Sequence, residues 1–509
     1  MRIVIGLDVG TSGTKAIAMD TGGKLLASAL VEYPMLNPKP NWAEQDPAEW
    51  VKASYEALSR LASEVDPAAV KGIGLTGQMH GSVFLDKDDK VLRNALLWCD
   101  QRTVAQCEYI HEKAGGEEKL IEMVSNPALT GFTAPKILWL RDNEPELYDR
   151  VKKVLLPKDY IRLMLTGEYA TDVADASGTL LFDVKNRCWH TELMSLLGID
   201  TDFMPTAFEG PEVTGTLSAD AAAKTGLPAG IPVVAGGGDQ AANGVGCGIV
   251  RKGIVSASLG TSGVVFAHAD EVSTDPEGRC HTFCHSVPGA WHTMGVVMSA
   301  GGSLRWYRDT LCQEEIARGA LEGKDPYEYI TAGAAKIPVG ADGLQFLPYL
   351  TGERTPHKDP YAKGAFIGLS LLHTKNHMSR AVLEGVSYGM RDSVELMRGM
   401  GVDVNEVRCS GGGARSTVWR QIMADACDAP MVRINVDEGP AYGAAILASV
   451  AAGLYSDVGE ACDAIINEVD RLNPVAEQVA EHDRWFPEYQ QAYQALAPAF
   501  KRMAGKLED

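Results

Sequence analysis

The stretch "GLDVGTSGTK", Gly6 to Lys15, decides how this chain folds. Glycines, threonines and a serine packed this closely are typical of a turn whose backbone N–H groups hold a phosphate. The spacing fits neither the P-loop, G-x-x-x-x-G-K-[ST], nor the dinucleotide fingerprint, G-x-G-x-x-G. The following residues, "KAIAMDTGGKLLASALVEY", form two β-rich runs joined by the turn Asp20 to Gly23. The sequence therefore predicts a phosphate loop that joins strand to strand.

An aspartate stands at an unusual place beside this loop. Asp8 directly follows the apolar run "RIVIGL", although aspartate is depleted in strands. A carboxylate next to phosphates would repel them unless a cation lay between, so Asp8 predicts bound Mg²⁺. The alternative is an aspartate that only stabilises its own turn.

Length and composition limit the class of protein. The 509 residues predict two domains, and 45% hydrophobic with 22% charged residues is typical of soluble globular proteins. A net charge of −20 argues against a nucleic-acid or anionic-membrane partner. The chain has no apolar run of membrane-helix length and no signal-peptide core, which predicts a cytoplasmic protein.

The cysteines predict free thiols in a reducing compartment, because the ten of them are scattered without close pairing. The run "CHTFCH", Cys280 to His285, has the residue types of a zinc site. Four ligands on one extended run cannot readily surround one ion, so a packed strand is favoured.

An internal repeat sets the organisation. Strands alternate with helices up to about residue 240, which predicts an α/β protein, and "GIVSASLGTSGVVFAHAD" repeats the opening design around Gly260 to Gly263. We predict domains at 1–248 and 249–509, with a nucleotide gripped from both sides of a cleft and the last helix packing back on the first domain.

Three further segments carry predictions. The proline-rich loop "YPMLNPKPNWAEQDP" places Trp42 either at a ligand or against the core. The segment "VRCSGGGARSTVWRQIMADAC" predicts a strand, a glycine turn and a helix capped by Ser416. The small-residue segment "GPAYGAAILASVAAG" predicts a tightly packed helix.

These motifs together resemble a known family. The DxGTSGTK loop between strands, its echo and the late GGG are similar to the actin, Hsp70 and sugar-kinase superfamily of duplicated ribonuclease-H-like domains. "GFTAPKILWLRDN" and "GAFIGLSLLHTKNHMSRAVLEG" resemble the two signatures of the FGGY carbohydrate kinases. "GLTGQMHG", "LLWCDQR", "GGGDQAANGVG" and "HTFCHSVPGAWHTMGV" are similar to the branch of that family that acts on xylulose. That branch usually has Asn where this chain has Cys99 and Gln240.

The resemblance implies an ATP- and Mg²⁺-dependent kinase that converts a ketopentose, D-xylulose first, to its 5-phosphate. Asp239 matches the family's catalytic aspartate, the general base, and is expected beside the metal, while Asp8 holds Mg²⁺ through water. A kinase of ribulose, a pentitol or another small polyol is the near alternative. An actin- or Hsp70-like ATPase is the remote one. The expected partners are the sugar and ATP, and a homodimer is compatible with the sequence.

The remaining predicted ligand contacts fall into three groups. The phosphate contacts are Gly10, Thr11, Ser12, Gly13, Thr14, Gly260, Thr261 and Ser262, and the adenosine contacts are Gly411, Gly412 and Gly413. The sugar contacts are Gln78, Met79, His80, Asp100, Arg102, Asp239 and Gln240. Two residues have alternatives: Lys15 is either a phosphate clamp or a hairpin residue, and Arg102 either binds sugar or forms an ion pair within its domain.

Overall fold

The computed structural model of the chain describes residues 2–436 and 439–505. It divides into two compact units. Unit 1 comprises Met1–Arg251, His268–His292 and Glu438–Asn467. Unit 2 comprises Lys252–Ala267, Thr293–Asp437 and Glu468–Asp509.

The elements of the described residues follow in chain order. The strands are β1 (Ile3–Val9), β2 (Gly13–Asp20), β3 (Leu25–Glu32), β4 (Glu44–Gln45), β5 (Val70–Gly77), β6 (Val83–Leu85), β7 (Ala95–Leu96), β8 (Lys153–Leu155), β9 (Thr171–Asp172), β10 (Phe182–Asp183), β11 (Cys188–Trp189), β12 (Ala207–Phe208), β13 (Val213–Thr216), β14 (Pro232–Val234), β15 (Gly237–Gly238), β16 (Gly253–Leu259), β17 (Gly263–Ala269), β18 (His281–Cys284), β19 (Trp291–Val297), β20 (Gln345–Leu347), β21 (Ala365–Ile367), β22 (Val404–Ser410), β23 (Met431–Ile434) and β24 (Glu468–Leu472). The helices are α1 (Pro47–Glu64), α2 (Val104–Ala114), α3 (Glu117–Val124), α4 (Thr133–Asn143), α5 (Pro145–Tyr148), α6 (Pro157–Thr166), α7 (Val173–Ser177), α8 (Thr191–Leu197), α9 (Ala219–Thr225), α10 (Asp239–Gly246), α11 (Gly301–Leu311), α12 (Gln313–Glu322), α13 (Pro326–Ala334), α14 (Lys375–Gly399), α15 (Thr417–Cys427), α16 (Gly439–Ala451), α17 (Val458–Ile465) and α18 (Ala476–Met503).

The two central sheets repeat one topology, as the internal echo predicts. The sheet of unit 1 has the order β13-β14-β5-β1-β2-β3, and its counterpart reads β24-β23-β22-β16-β17-β19. In each sheet the opening strand pairs antiparallel with the strand after the Gly-Thr-Ser loop. On its other side it pairs parallel with a later strand. Both loops join strand to strand, so the chain has the duplicated α/β design of the predicted superfamily.

The unit boundaries differ from the predicted domains. Residues 268–292 and the helix α16 belong to unit 1, although the prediction assigned both to the second domain. The last helix, α18, belongs to unit 2. The helix that returns is α16, whose small residues allow it to lie directly on the sheet of unit 1.

The α16 contact depends on glycines that face it. A Cβ placed on Gly6 of β1 would lie 1.8 Å from the carbonyl oxygen of Ala441, and one on Gly74 of β5 would lie 1.8 Å from that of Ala444. The predicted tight packing of the small-residue helix is confirmed, because only hydrogen side chains let the helix backbone approach this closely.

The run "CHTFCH" is a packed strand. Its central residues form β18, whose side chains are buried. Within the part of the chain that the structure describes, no group of three or more His, Cys, Asp or Glu side chains is arranged to hold a metal ion. All ten cysteines are free thiols, as predicted.

Buried histidines follow this strand in unit 1. His285 and His292 are 0% exposed, with ring centroids 5.6 Å apart. Burial lowers the pKa of both imidazoles, that of His292 to about 3, and the neighbouring rings add to the effect. Both rings are therefore neutral in the folded protein.

His292 gives a prediction for stability against pH. A group whose pKa is depressed on folding contributes stability above its unfolded pKa of about 6.5, and that stability is lost as pH falls towards the folded pKa. We expect the unfolding free energy of the wild type, relative to His292→Gln, to fall by about 1.4 kcal/mol per pH unit below about pH 6.5. Urea denaturation of both proteins across this range measures the difference. A difference that stays constant with pH would contradict the prediction.

Among residues 2–436 and 439–505, no helix combines the length and apolar character needed to span a bilayer.

Candidate active site

Three parallel strand segments end side by side in unit 1. In the register of β1 with β5, Asp8 lies opposite Thr76 and Val9 opposite Gly77. In the register of β15 with β5, Gly238 also lies opposite Gly77. Because the carboxyl ends of parallel strands meet at one edge, the three segments that follow emerge together: the loop 10–13, the loop 78–81 and Asp239.

Two carboxylates approach each other at this edge. Asp8 is the penultimate residue of β1, and Asp239 is the first residue of α10. The pKa of Asp8 is raised to about 7, chiefly by burial and also by the charge of Asp239, while the charge of Lys15 lowers it. Burial raises the pKa of Asp239 to about 6, against hydrogen bonds from Gln240 that lower it. Both carboxylates are therefore held in surroundings where a cation would be stabilising.

One oxygen of this pair is left for a ligand. Oδ1 of Asp8 is buried and has no hydrogen-bond partner among the described residues. A hard oxygen donor of this kind suits Mg²⁺, which keeps several waters and takes few ligands from the protein. The donor set of Asp8 and Asp239 therefore fits a magnesium ion bound largely through water and phosphate.

Met79 packs against Gly238, the residue before Asp239, and His80 follows it in the loop 78–81. A Cβ on Gly238, the residue before Asp239, would lie 2.8 Å from Cγ of Met79. His80 adopts a φ of 66°, a left-handed conformation that is uncommon outside glycine. Its Nδ1 lies 2.7 Å from the carbonyl oxygen of Gly178, which orients the ring.

Lys136 binds the backbone of His80 through hydrogen bonds. Nζ of Lys136 donates to the carbonyl oxygens of His80 at 2.8 Å and of Gly131 at 2.7 Å. The hydroxyl of Thr133 donates to the same His80 oxygen at 3.1 Å. Lys136 is fully buried, and burial lowers its pKa to about 7. Sequence reasoning missed Lys136, although it lies inside the quoted "GFTAPKILWLRDN" segment.

Gln78 lies beneath the phosphate loop. Its Nε2 donates to Oε1 of Gln45 at 2.9 Å and to the carbonyl oxygen of Gly10 at 3.3 Å. Gln45 in turn donates to the carbonyl oxygen of Thr11 at 2.6 Å. Gln78 is 1% exposed, so its amide braces the loop. Gln240, also predicted as a sugar contact, directs its side chain to Asp239.

Asp100 and Arg102 are paired with each other, which is the ion-pair alternative for Arg102. The guanidinium of Arg102 donates to Oδ2 of Asp100 at 2.7 Å, and the exposed fractions of the two side chains are 1% and 0%. A further ion pair joins Arg102 to Glu44 at 2.8 Å. Cζ of the same guanidinium lies 3.5 Å from the centroid of the Trp42 ring. Of the two positions predicted for Trp42, at a ligand or packed against the protein, this contact matches the second.

The phosphate loop itself is shaped by hydrogen bonds. The N–H of Gly10 donates to the carbonyl oxygen of Gly13 at 3.1 Å, and Nε1 of Trp98 donates to Oγ1 of Thr11 at 3.0 Å. Trp98 is 43% exposed beside the loop and was not predicted, although "LLWCDQR" contains it. Ser12 is exposed at the tip.

Thr14 and Lys15 follow the loop and lie in β2. Thr14 is 0% exposed in β2, and its role as a phosphate contact stays a prediction. Lys15 lies opposite Asp8 in the antiparallel register. Of the two predicted alternatives, a phosphate clamp or a hairpin residue, this position matches the hairpin residue.

A cavity of about 730 Å³ lies within unit 2. The predicted residues Gly260, Thr261, Gly412 and Gly413 line it together, whereas Ser262 and Gly411 do not. Its other walls include Arg305, Asp325, Tyr327, Glu328 and Thr331, which sequence reasoning missed because they lie at helices without a motif, and Trp419 from the predicted helix after the glycine turn.

Helix termini hold the two glycine turns at this cavity. The N–H groups of Gly301 and Gly302, which open α11, donate to the carbonyl oxygens of Gly260 at 2.8 Å and Thr261 at 3.0 Å. Ser416 caps α15 by accepting from the N–H of Trp419 at 3.3 Å, as predicted. The turn at Gly411 leads through a short 3-10 helix, Gly412–Arg415, into the N-terminus of α15, where N–H groups can face an anion.

Comparisons with known proteins agree with this arrangement. Residues 3–246 match the model of the N-terminal domain of the FGGY family of carbohydrate kinases, and residues 255–452 match that of its C-terminal domain. The chain is 38% identical to the xylulose kinase of Bacillus subtilis strain 168 over 97% of each chain. It is 40% identical to the xylulose kinase of Escherichia coli K12 over 97% of this chain and 99% of that one. The crystal structure of xylulose kinase from Rhodospirillum rubrum superposes with a TM-score of 0.91 at 31% identity, covering 98% of this chain and 100% of the other.

Proposed function

Because this chain belongs to the FGGY family of carbohydrate kinases, we propose that it transfers the γ-phosphoryl group of ATP to D-xylulose, forming D-xylulose 5-phosphate and ADP. Relatives named as xylulose kinases are similar to it over nearly their whole length, which supports this substrate. The observation in the structure that carries the proposal is the meeting of Asp8 and Asp239 beside Met79 and His80 at one strand edge of unit 1.

Asp239 is the proposed general base. As the terminal hydroxyl oxygen of the sugar attacks the γ-phosphorus, that hydroxyl loses its proton, and a positioned carboxylate can accept it. A pKa near 6 leaves Asp239 ionised at neutral pH and more basic than an ordinary aspartate. Its place at the first turn of α10 gives it a fixed backbone.

Asp8 is the proposed metal anchor, with Asp239 beside it. Bound Mg²⁺ would neutralise phosphate charge in the transition state. The unpartnered oxygen of Asp8 offers the hard donor that this ion prefers. The loop 10–13 presents backbone N–H groups and the side chains of Thr11 and Ser12 next to this carboxylate, which suits a phosphate.

We assign the cavity of unit 2 to the nucleotide. Gly412 and Gly413 leave room for a flat ring to approach the backbone, and Tyr327 and Trp419 supply apolar wall. Gly260 and Thr261 line the same cavity and are the proposed contacts for the phosphate end of ATP.

Met79 and His80 are the proposed sugar contacts. The contact of its Nδ1 with the carbonyl oxygen of Gly178 orients the imidazole of His80, and a histidine ring can both donate to and accept from sugar hydroxyl groups. Gln78 and Gln240 act behind them, the first by bracing the phosphate loop and the second by orienting Asp239.

The sugar specificity is tested by ADP release with a panel of D-xylulose, D-ribulose, pentitols, glycerol and gluconate. We expect D-xylulose to give the highest kcat/KM. A higher kcat/KM with ribulose or a polyol would transfer the assignment to that substrate, and ATP turnover at full rate without sugar would favour an actin- or Hsp70-like ATPase.

His80→Ala is expected to raise the KM for the sugar by about tenfold to a hundredfold, because a ligand hydroxyl loses its partner in a desolvated pocket. The KM for ATP should change little. His190→Ala is a matched control, since His190 accepts from the N–H of Leu193 as the cap of α8 and contacts neither proposed ligand. Steady-state kinetics with each substrate varied separately provide the readout. A larger rise in the KM for ATP would place His80 outside the sugar site.

A further inference from the structure

A cluster of five charged side chains is buried below the strand edge in unit 1. We call it the α6–α7 cluster, and its members, none more than 1% exposed, are Lys158, Asp159, Arg162, Asp172 and Asp175. Nζ of Lys158 lies 2.6 Å from Asp159 Oδ1, 2.6 Å from Asp172 Oδ2 and 3.1 Å from Asp175 Oδ2. One ammonium group therefore joins three carboxyl groups from two helices.

Charge balance singles out Asp175 within the cluster. Two cations face three carboxyl groups, and an uncompensated charge in the interior is costly, so one carboxyl group is favoured as the neutral acid. Asp172 Oδ1 accepts from the N–H groups of Ala174 and Asp175 at 2.8 and 3.0 Å, which suits a carboxylate. Asp175 has the longest contact to Lys158, and burial raises its pKa well above the usual range.

The cluster reaches the chain segment that carries Asp239. The guanidinium of Arg162 donates to the carbonyl oxygens of Val234 at 2.7 Å and Ala235 at 2.6 Å, at the end of β14. Further along the same segment, a Cβ placed on Gly238 would lie 3.3 Å from Oδ1 of Asp175. The side chain of Asp175 therefore packs directly against the residue that precedes the proposed base.

The same cluster also reaches the sugar loop. Asp172 is the N-cap of α7, and Gly178 is its C-cap, whose carbonyl oxygen lies 2.7 Å from Nδ1 of His80. On the other side, a Cβ on Gly77 would lie 3.4 Å from Cβ of Lys158. The start of the sugar loop and the ring of His80 thus both rest on elements that the cluster joins.

We propose that Asp175, joined to Lys158, is a positioning residue that holds His80 and Asp239 in one geometry for sugar binding and phosphoryl transfer. This inference rests on the proposed function. Apolar residues of equal volume would stabilise the fold at least as well as buried ions. What the ionic cluster adds is a set of directional bonds that link α6, α7 and the segment before Asp239.

The test compares variants of the full chain by steady-state kinetics with D-xylulose and by thermal unfolding. Asp175→Ala removes the contacts to Lys158 and Gly238. It should raise the KM for the sugar and lower kcat by about tenfold or more each, since small misplacements of reacting groups carry effects of this size. The KM for ATP should stay within about twofold. Asp175→Asn keeps the volume and can accept from Lys158, so kcat and both KM values should stay within about threefold of wild type.

Two further variants separate positioning from general stability. Glu384→Ala removes another buried carboxylate, paired with Arg380 at 2.6 Å in unit 2, and should lower the melting temperature without raising the KM for the sugar. Gly178→Ala adds a Cβ that would lie 2.6 Å from the ring of His80, at a backbone φ of −75° that alanine accepts. It should raise the KM for the sugar even where Asp175→Ala does not fold.

The following results would contradict the positioning role of Asp175 or the proposed function. A folded Asp175→Ala protein with wild-type kcat and sugar KM would overturn the proposal, as would an unchanged sugar KM in Gly178→Ala or an equal rise in Glu384→Ala. Wild-type protein that turns over no sugar would instead overturn the proposed function, which this series detects separately because every variant is compared with wild type.

Discussion

Asp239→Ala is expected to lower kcat by about a hundredfold to ten-thousandfold, the range typical for loss of a positioned general base. Asp239 opens α10 beside Asp8, and burial holds its pKa near 6, so the wild-type carboxylate is both ionised and basic at neutral pH. Removing it deletes a proton acceptor that acts in the transition state, while Met79, His80 and the cavity of unit 2 remain. The binding of both substrates should therefore persist.

The measurements for this variant are single-turnover rates and equilibrium binding of sugar and ATP. Asp220→Ala is a suitable control, because Asp220 also lies in the first turn of a helix but is exposed and pairs with Lys224 on the surface of unit 1. That control should keep wild-type kinetics. An Asp239→Ala protein that retained a tenth of wild-type turnover would rule out Asp239 as the base.

Gly74→Ala is expected to destabilise the protein by about 3 kcal/mol or more, at the upper end of the effects of overpacking. A Cβ at this position would lie 1.8 Å from the carbonyl oxygen of Ala444, so β5 and α16 must separate. A backbone oxygen on a rigid helix cannot swing aside as the end of a flexible side chain could. The separation would also disturb the strand edge at Gly77, where the sugar loop begins.

Two other glycines, at which an added Cβ would have more room, make this prediction specific. At Gly72, on the same strand, an added Cβ would lie 3.1 Å from the carbonyl oxygen of Ala448, so Gly72→Ala should cost less. At Gly399, in α14, nothing lies within 4 Å of an added Cβ, and Gly399→Ala should be neutral or stabilising by up to about 1 kcal/mol. Urea denaturation measures all three variants. Equal losses at Gly74 and Gly399 would refute the steric explanation.

Several elements of the site were readable in advance because their signals are local. The strand-loop-strand design around Gly10 to Gly13 and its echo at Gly260 to Gly263 follow from turn residues between β-rich runs. The cap of α15 at Ser416 and the close packing of α16 depend on residue types at short spacing. Patterns of this length reflect backbone hydrogen bonding and side-chain size, which act between chain neighbours.

Residues whose surroundings depend on distant partners could not be placed from the sequence. Asp100 was predicted as a sugar contact; it pairs with Arg102, two residues further on, and only folding brings Glu44 and Trp42 to the same guanidinium. Thr14 was assigned to phosphate because it follows the loop in sequence, and the structure places it within β2 with a buried side chain. Lys136, far along the chain from His80, could not be found from spacing at all.

The sequence by itself determined the duplicated α/β design, the two phosphate loops and the presence of a carboxylate after each of two strands, because these are set by local propensity and repetition. Only the tertiary structure decided which carboxylates meet, which polar groups form hydrogen bonds and ion pairs with one another, and that α16 and residues 268–292 complete unit 1. The reason is physical: burial and electrostatic coupling depend on contacts between residues far apart in the chain, and these contacts form only when the parallel strands come into register.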